Sequence, residues 1–209
     1  MKPIAIFDFD GVILDSFEEG FRIRKTITPH ITRDEYLAIY DQNVFRSCEL
    51  EGFGDREVDA FMEQYRISIM HIAFFPLLPQ IIEELAGEYQ LHIISSTYTD
   101  IIHSKLAHHG LDRFFTSVLG GDFEKSKIKK FEHLRSFSDA SFEDDMIFIT
   151  DTVGDLVEAD YHKIPSCAVH WGFHSTDTLL ATSAAFHAYQ PSELLQIVDK
   201  NFSRIKNPG

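Results

Sequence analysis

The sequence contains little cysteine and little positive charge. Cys48 and Cys167 are the two cysteines among 209 residues. They form no disulfide framework and lack the spacing of a metal knuckle, which predicts a reducing compartment. Lys and Arg number 19 against 33 Asp and Glu, for a formal net charge of −14. This charge argues against nucleic acid and anionic membrane surfaces as partners. An anionic ligand would therefore need a locally positive site.

Long hydrophobic runs, internal repeats and low-complexity tracts are also missing. The first apolar run is short and leads into Asp8 and Asp10, so we expect neither a signal peptide nor a membrane span. Apolar residues make up 44% of the chain and charged residues 25%, which is ordinary for a soluble protein. We expect a cytoplasmic protein with one large domain, or a core with a modest insertion.

The stretch Ile4–Phe7 is a short apolar run that predicts a buried strand of a parallel sheet. Periodicity alone does not separate such a strand from a buried helix segment. Asp8, Asp10 and Gly11 follow directly, and glycine allows the sharp turn that would end the strand. Ligands bind beyond the carboxyl ends of the strands in open parallel sheets. Both aspartates are therefore expected at the mouth of a site.

Two aspartates this close repel each other, and a bound Mg²⁺ would remove that repulsion because it prefers oxygen ligands. One carboxylate could then attack phosphorus while the other handles the proton. The alternative is a pair of solvated loop aspartates. The apolar run before Asp8 and the glycine after Asp10 argue against that alternative.

Residues 16–75 read as helices. Ser16 can cap a first helix, and Thr32–Glu35 has the spacing of a capping box. Apolar residues then recur at helical spacing: Val58, Phe61, Met62, Tyr65, Ile69 and Ile72. These helices could be a bundle that packs its own apolar faces, or a lid that excludes water and selects the substrate. The two interpretations are compatible.

The rest of the chain alternates predicted strands and helices. The predicted strands are Leu91–Thr97, Phe114–Leu119, Met146–Asp151, Pro165–Gly172 and Ala185–Tyr189. Pro79 suits the first turn of the helix before the first of these strands. Ser95, Ser96 and Thr97 offer hydroxyl and backbone donors to an anion. They could equally form a plain N-terminal cap for the helix near Asp100.

The segment 124–134 holds the local cluster of positive charge. Lys129 and Lys130 fit a solvated helix face. A lysine just ahead of the helix could instead point back to the strand ends and stabilise transferring oxygens. We favour Lys127 for this role, and Lys125 is the alternative.

Asp151 and Asp155 follow another apolar strand and are four residues apart, so a helical first turn would place them on one face. Acids are also favoured at helix N-termini by the dipole, which is the simpler explanation of this pair. Together with Asp8 and Asp10 at another strand end, however, they predict a metal site. His170 and His174 are four apart as well, but in a strand and turn, which disfavours a transition-metal site.

The segment Phe7–Val12, followed by Asp15 and Ser16, resembles the first motif of the haloacid dehalogenase superfamily. Ser95, a lysine at 127 or 125, and the Asp151/Asp155 pair resemble its second, third and fourth motifs. Two departures are the missing proline after the lysine and Thr150 in place of a common glycine. The resemblance implies an α/β, doubly wound Rossmann-like core (1–15 and 76–209) with a helical cap (16–75). It is nearest to the phosphoglycolate phosphatase-like branch.

The resemblance also implies a Mg²⁺-dependent phosphatase that acts on a small phosphorylated metabolite through an aspartyl-phosphate. Asp8 would be the nucleophile, Asp10 the general acid/base, and Lys127 a charge-stabilising group. Mg²⁺ would lie by Asp8, the Asp10 backbone carbonyl, Asp151 and Asp155, and phosphate oxygens by Ser95, Ser96 and Lys127.

Other functions remain open. A phosphomutase of the beta-phosphoglucomutase type would use the same core, and Val12 after Gly11 occurs in that branch. A phospho-accepting regulator is a non-enzymatic alternative, although Asp10 argues against it. A dehalogenase is disfavoured because its chemistry does not need Asp10. The chain could be a monomer or a homodimer.

Overall fold

A computed structural model describes residues 2–137, 141 and 144–206. Its centre is a six-stranded sheet in which every neighbouring pair is parallel. The strands are β1 (Ile4–Phe7), β2 (Gln90–Ile94), β3 (Phe115–Leu119), β4 (Met146–Thr150), β5 (Ser166–Val169) and β6 (Phe186–Ala188). Their order across the sheet is β3-β2-β1-β4-β5-β6. This is the doubly wound order whose switch point lies between β1 and β4.

Helices connect and cover these strands. Five of the described α-helices lie between β1 and β2, and the first four of these are α1 (Phe17–Ile27), α2 (Arg33–Ala38), α3 (Val44–Leu50) and α4 (Asp55–Ser68). We call these four the insertion helices. The others are α5 (Leu78–Glu88), α6 (Thr99–His108), α7 (Lys127–Ser136), α8 (Val153–Asp160), α9 (Thr176–Leu180) and α10 (Glu193–Lys206).

The central strands are apolar because helices cover both faces of the sheet. Every residue of β1 and β4 is buried, as expected for parallel strands enclosed between two helical layers. Such enclosure removes the two-residue alternation of a half-exposed strand. The apolar run Ile4–Phe7 is therefore a strand and not a helix, and the predicted α/β doubly wound fold is confirmed.

Local signals were right in some places and wrong in others. Thr32 and Glu35 form the predicted capping box, and Pro79 lies in the first turn of α5. Ser16 occupies the N-cap position of α1, but the prediction that it caps the helix is wrong because its hydroxyl accepts no capping bond. Strand β2 ends at Ile94, so Ser95, Ser96 and Thr97 lie in the loop after it.

Two further observations concern the chain as a whole. Cys48 and Cys167 are both buried and unpaired. Within the described residues, no helix combines the length and apolar character needed to cross a membrane. The division into a core (1–15 and 76–209) and a cap (16–75) stays a prediction.

Candidate active site

A cavity of about 100 Å³ opens where the carboxyl end of β1 faces the insertion helices. The core side of its lining is polar and includes Asp8, Asp10, Ser95, Lys127 and Asp155. The insertion side is mostly apolar and aromatic. The β1–β4 switch point is where open α/β sheets bind ligands. The fold therefore brings Asp8, Asp10 and Asp155 to one cavity, whereas Asp151 is not among the residues that line it.

Asp8 follows β1 directly and is 7% exposed. Its Oδ1 accepts a hydrogen bond from the Phe9 backbone N–H at 2.7 Å, and its Oδ2 lies 2.9 Å from Lys127 Nζ. Burial raises the pKa of Asp8 well above its usual value, and the positive charge of Lys127 opposes that rise only in part. Asp8 is thus a desolvated carboxylate held by a single cation.

Lys127, the first residue of α7, contacts two carboxylates. Its Nζ donates to Asp155 Oδ2 at 2.5 Å in addition to its contact with Asp8. Burial alone would lower the pKa of Lys127, but Asp155 and Asp8 hold it above its usual value. Thr150, the residue that departs from the family pattern, donates to the same Asp155 oxygen at 2.7 Å. The ion pair and these bonds keep the pKa of Asp155 low against its burial.

The alternative lysine lies elsewhere. Lys125 is exposed and its ammonium contacts Asp55 of α4. Lys130 was expected on a solvated face, and that prediction is wrong. Lys130 is fully buried and donates from Nζ to the Ser95 carbonyl at 2.6 Å. It lies three positions after Lys127, and residues three apart share one face of a helix, here the buried face of α7. Burial lowers the pKa of Lys130 to about 7.

Asp10 is held by one hydroxyl from each side of the cavity. The Tyr65 hydroxyl of α4 donates to Oδ1, and Thr97 Oγ1 donates to Oδ2 at 2.7 Å. Tyr65 was predicted as one of the apolar-spaced residues of its helix. Its phenol nevertheless reaches the acid of the core, and its sequence spacing carries no signal of that contact.

Asp151 lies beyond β4 in a tight backbone cradle. Its Oδ2 accepts from the Phe173 N–H at 2.7 Å, while its buried Oδ1 has no hydrogen-bond partner. A side chain on Gly11 or Gly172 would overlap the Asp151 side chain. Burial raises the pKa of Asp151 to about 8.

The expected helical pairing of Asp151 with Asp155 is wrong. Helix α8 begins at Val153, two residues after Asp151. The two carboxylates therefore have different partners: Asp151 is bound by Phe173, and Asp155 by Lys127 and Thr150. Both still lie at the same edge of the sheet.

The acids at this edge of the sheet supply oxygen donors, the ligand type that Mg²⁺ prefers. Two buried carboxylates, Asp8 and Asp155, contact the ammonium of Lys127, and a third buried carboxylate, that of Asp151, has an Oδ1 without a partner. Among the described residues, no three His, Cys, Asp or Glu side chains form a ready metal cluster. A backbone oxygen, such as the Asp10 carbonyl, would therefore have to complete the ligands.

The predicted phosphate ligands follow β2. Ser95, Ser96 and Thr97 all line the cavity, and the Ser95 hydroxyl accepts from the Thr97 N–H at 3.2 Å. Gly121 lets the chain after β3 approach the Ser96 carbonyl, where a side chain would collide. The loop therefore lies at the same cavity as Asp8.

Glu158 of α8 is a site residue that sequence reasoning missed. Its Oε1 accepts from the Lys127 backbone N–H at 2.9 Å, and its Oε2 accepts from Asn43 Nδ2 of the insertion at 3.0 Å. Asn43 Nδ2 also donates to the Lys125 carbonyl at 3.0 Å. Glu158 thus links the start of α7 to the insertion. A glutamate in an amphipathic helix gives no sequence signal of such long-range contacts.

His170 and His174 have separate partners. His170 Nε2 lies 3.0 Å from His187 Nδ1, while His174 Nδ1 accepts from the Val153 N–H at 3.0 Å. The two imidazoles belong to different hydrogen-bond networks.

Known proteins resemble this chain along most of its length. A 5'-nucleotidase of Pseudomonas aeruginosa is 22% identical, covering 95% of this chain and 96% of that protein. A phosphoglycolate phosphatase of Vibrio parahaemolyticus is 24% identical over 73% of this chain and 67% of its own. A solved haloacid dehalogenase-like hydrolase from Streptococcus pneumoniae superposes with a TM-score of 0.79, at 21% identity, over 94% of this chain and 98% of its own.

The sequence profile of the haloacid dehalogenase-like hydrolases matches residues 5–169. That range begins in β1 and ends with β5, so it contains Asp8, Asp10, Lys127, Asp151 and Asp155. The chain belongs to the haloacid dehalogenase-like hydrolase family.

Proposed function

We propose that this hydrolase is a Mg²⁺-dependent phosphatase that cleaves a small phosphomonoester through an aspartyl-phosphate on Asp8. The observation that supports this most is the position of Asp8, buried at the cavity floor with Oδ2 2.9 Å from Lys127 Nζ. The names of the relatives, a 5'-nucleotidase and a phosphoglycolate phosphatase, agree with phosphate ester hydrolysis. A cytoplasmic location stays a sequence-based prediction.

In the first half-reaction Asp8 attacks phosphorus. A bond forms between the Asp8 carboxylate oxygen and phosphorus, and the bond to the leaving oxygen breaks. Asp10 gives its proton to that oxygen, which departs as the alcohol. Lys127, Ser95 and Ser96 bind the phosphoryl oxygens and stabilise the charge that gathers on them.

In the second half-reaction water attacks the phosphorus of the aspartyl-phosphate. Asp10, now a carboxylate, accepts the proton of the water. The phosphorus–oxygen bond to Asp8 breaks, which restores the Asp8 carboxylate and releases inorganic phosphate. Once Asp10 is a carboxylate, Tyr65 and Thr97 hold it in place, each donating to one of its oxygens.

Mg²⁺ would be held by Asp8, the Asp10 backbone carbonyl and Asp151, with Asp155 close by. When bound, it supplies positive charge that offsets the repulsion among these carboxylates and the phosphate. The unpartnered Asp151 Oδ1 is the atom that most needs such a cation.

The nucleophile is tested by Asp8→Asn with an aryl phosphate and Mg²⁺. We expect phosphate release to stop, because the amide is a poor nucleophile, while the circular dichroism spectrum stays that of the wild type. Asp15→Asn is the matched control, since Asp15 is exposed and does not line the cavity. Turnover in Asp8→Asn within tenfold of the wild type would refute covalent catalysis at Asp8.

Rapid-quench measurement of the phosphoenzyme separates a phosphatase from the alternatives. General acid/base help is typically worth ~10²–10⁴-fold, so Asp10→Asn should accumulate phosphoenzyme with a good leaving group. A regulator would instead show a long-lived phosphoprotein in the unmutated chain. A phosphomutase would return an isomerised phosphate ester in place of inorganic phosphate.

A further inference from the structure

A buried arginine lines the same cavity as Asp8 but belongs to the insertion helices. Arg24 of α1 is 3% exposed. Its Nη2 donates to Glu51 Oε2 at 2.8 Å, its Nη1 lies 3.8 Å from Cys48 Sγ, and its guanidinium carbon is 3.5 Å from the centre of the Phe53 ring. Its Nε is buried and has no hydrogen-bond partner.

These contacts satisfy the guanidinium only in part. Arginine carries five N–H donors in a planar fork. The thiol is a weak acceptor, and the Glu51 side chain is 41% exposed, so water screens its charge. Burying a donor without a partner costs free energy unless a ligand supplies the acceptor. The unpartnered N–H of Arg24 therefore calls for an acceptor such as a carboxylate or a phosphate, whose geometry matches the guanidinium fork.

Positive charge is scarce among the residues that line the cavity. Of the described residues that line it, Arg24 and Lys127 are the cationic ones. Lys127 already contacts Asp8 and Asp155. The insertion side of the lining also includes the apolar or aromatic side chains of Val58, Phe61, Met62 and Phe53. Because the protein carries a net charge of −14, an anion in this cavity needs a nearby cation, and the Arg24 guanidinium supplies one.

We propose that Arg24 forms a second anion subsite, which binds a negatively charged group on the leaving part of the substrate. This inference rests on the proposed function, in which the phosphoryl group lies at Asp8. The substrate class is then a small phosphomonoester with a second anion, a carboxylate or a second phosphate, joined by a short apolar chain. Glu51 balances the charge of Arg24 when the subsite holds no ligand.

The test compares matched substrates. Phosphoglycolate and its three- and four-carbon ω-carboxylate homologues are each paired with the ω-hydroxyalkyl phosphate of equal chain length. We expect kcat/KM to favour the carboxylate at one length or more by roughly 10- to 100-fold, the range for a hydrogen bond to a charged group. Alkanediol bisphosphates of the same lengths show whether the second anion is a phosphate instead.

Arg24→Gln should remove this preference. Arg22→Gln is the matched control, because Arg22 lies exposed on the same helix and pairs with Glu19; we expect it to leave the preference unchanged. A wild type that favours neither acid nor bisphosphate at any length overturns the subsite. An unchanged preference in Arg24→Gln overturns it as well.

A second variant keeps the proposal open to refutation if Arg24→Gln does not fold. Glu51→Gln leaves the guanidinium in place and removes its competing carboxylate. We expect KM for the preferred anionic substrate to fall several-fold, with no such change for its neutral partner. An equal KM of the wild type and Glu51→Gln for the preferred anionic substrate argues against the subsite. If no phosphomonoester is hydrolysed by the wild type at all, the proposed phosphatase function fails instead.

Discussion

Asp10 accepts hydrogen bonds at both carboxylate oxygens, and the two donors come from different parts of the chain. Thr97 follows β2, whereas Tyr65 lies on α4 among the insertion helices. A carboxylate fixed at both oxygens has little rotational freedom. Its geometry therefore depends on the insertion being seated against the core.

Tyr65→Phe should slow the chemistry without unfolding the protein. The ring still packs, but Asp10 loses one of its two donors. A hydrogen bond to a charged group is worth about 1.5–3 kcal/mol, so we expect kcat to fall by roughly 10-fold or more. Steady-state kinetics with a poor leaving group measures the loss.

The matched control for that variant is Tyr98→Phe. Tyr98 also bonds across the two parts of the chain, since its hydroxyl donates to Asp59 of α4 at 2.6 Å, but it does not touch Asp10. We expect kcat close to the wild type. Equal losses in both variants would mean that Tyr65 acts only by holding the insertion in place.

Gly172→Ala should displace the side chain of Asp151, the acid that follows β4. The added methyl would overlap the Asp151 side chain and approach the Gly11 carbonyl. Small displacements of catalytic groups can cost ~10²-fold in rate, and we expect a loss of that order in kcat/KM. Gly87→Ala is the control, because nothing lies within 4 Å of its Cβ position. Activity of Gly172→Ala within threefold of the wild type contradicts this account of the loop.

At the scale of one element, β2 contains a polar residue inside the sheet. His92 is 4% exposed and its Nδ1 lies 2.7 Å from Ser117 Oγ of β3, while its buried Nε2 has no partner. Burial lowers the pKa of His92 from 6.5 to about 4. The folded state therefore prefers the neutral imidazole more strongly than the unfolded chain does.

This preference predicts a pH dependence of stability. Because the folded pKa is depressed, the contribution of His92 is complete above pH 6.5 and is lost as the pH falls towards 4. The loss is of the order of 3 kcal/mol in the free energy of unfolding. Urea unfolding across this range should show a shallower pH slope in His92→Asn than in the wild type.

The control for that experiment is His108→Asn, an exposed histidine at the end of α6. Its pH profile should match that of the wild type. A wild-type slope retained in His92→Asn would place the acid sensitivity elsewhere in the molecule.

At the scale of the whole molecule, the insertion and the core meet through several polar contacts. Asn43 contacts Glu158, Tyr65 contacts Asp10, Tyr98 contacts Asp59, and Arg66 contacts Asp100. Asp8 and Asp155 are buried, with Lys127 as their bonded cation. A bound cation would therefore stabilise the entire fold and not the cavity alone.

Mg²⁺ should accordingly raise the melting temperature. At a hundredfold excess over Kd, binding contributes about 2.7 kcal/mol, or roughly 5–10 °C for a chain of this size. Asp151→Asn should remove most of the rise, because it removes the carboxylate with the unpartnered oxygen. Asp160→Asn, an exposed acid on α8, should keep it. The same Mg²⁺-induced rise in Asp151→Asn would exclude that residue as a ligand.

Sequence reasoning located the acids because their signal is local. An apolar run that ends in Asp8 or Asp151 marks a buried strand and the edge at which it stops. Parallel strands present their carboxyl ends to one edge, so convergence follows from the fold class alone. The sequence carried no sign of the site contacts of Tyr65, Arg24 and Glu158. Each lies in an ordinary amphipathic helix and contacts residues more than 20 positions away.

The sequence by itself determined the α/β class, the order of strands and helices, and the acids at the strand ends, since these depend on hydrophobic periodicity and on residues within a few positions. Tertiary structure alone decided which lysine contacts Asp8, whether Lys130 is buried, and which insertion residues line the cavity. Those outcomes depend on how helices separated along the chain rotate and pack against one sheet. Side-chain burial, and with it the charge balance of the cavity, exists only once that packing has formed.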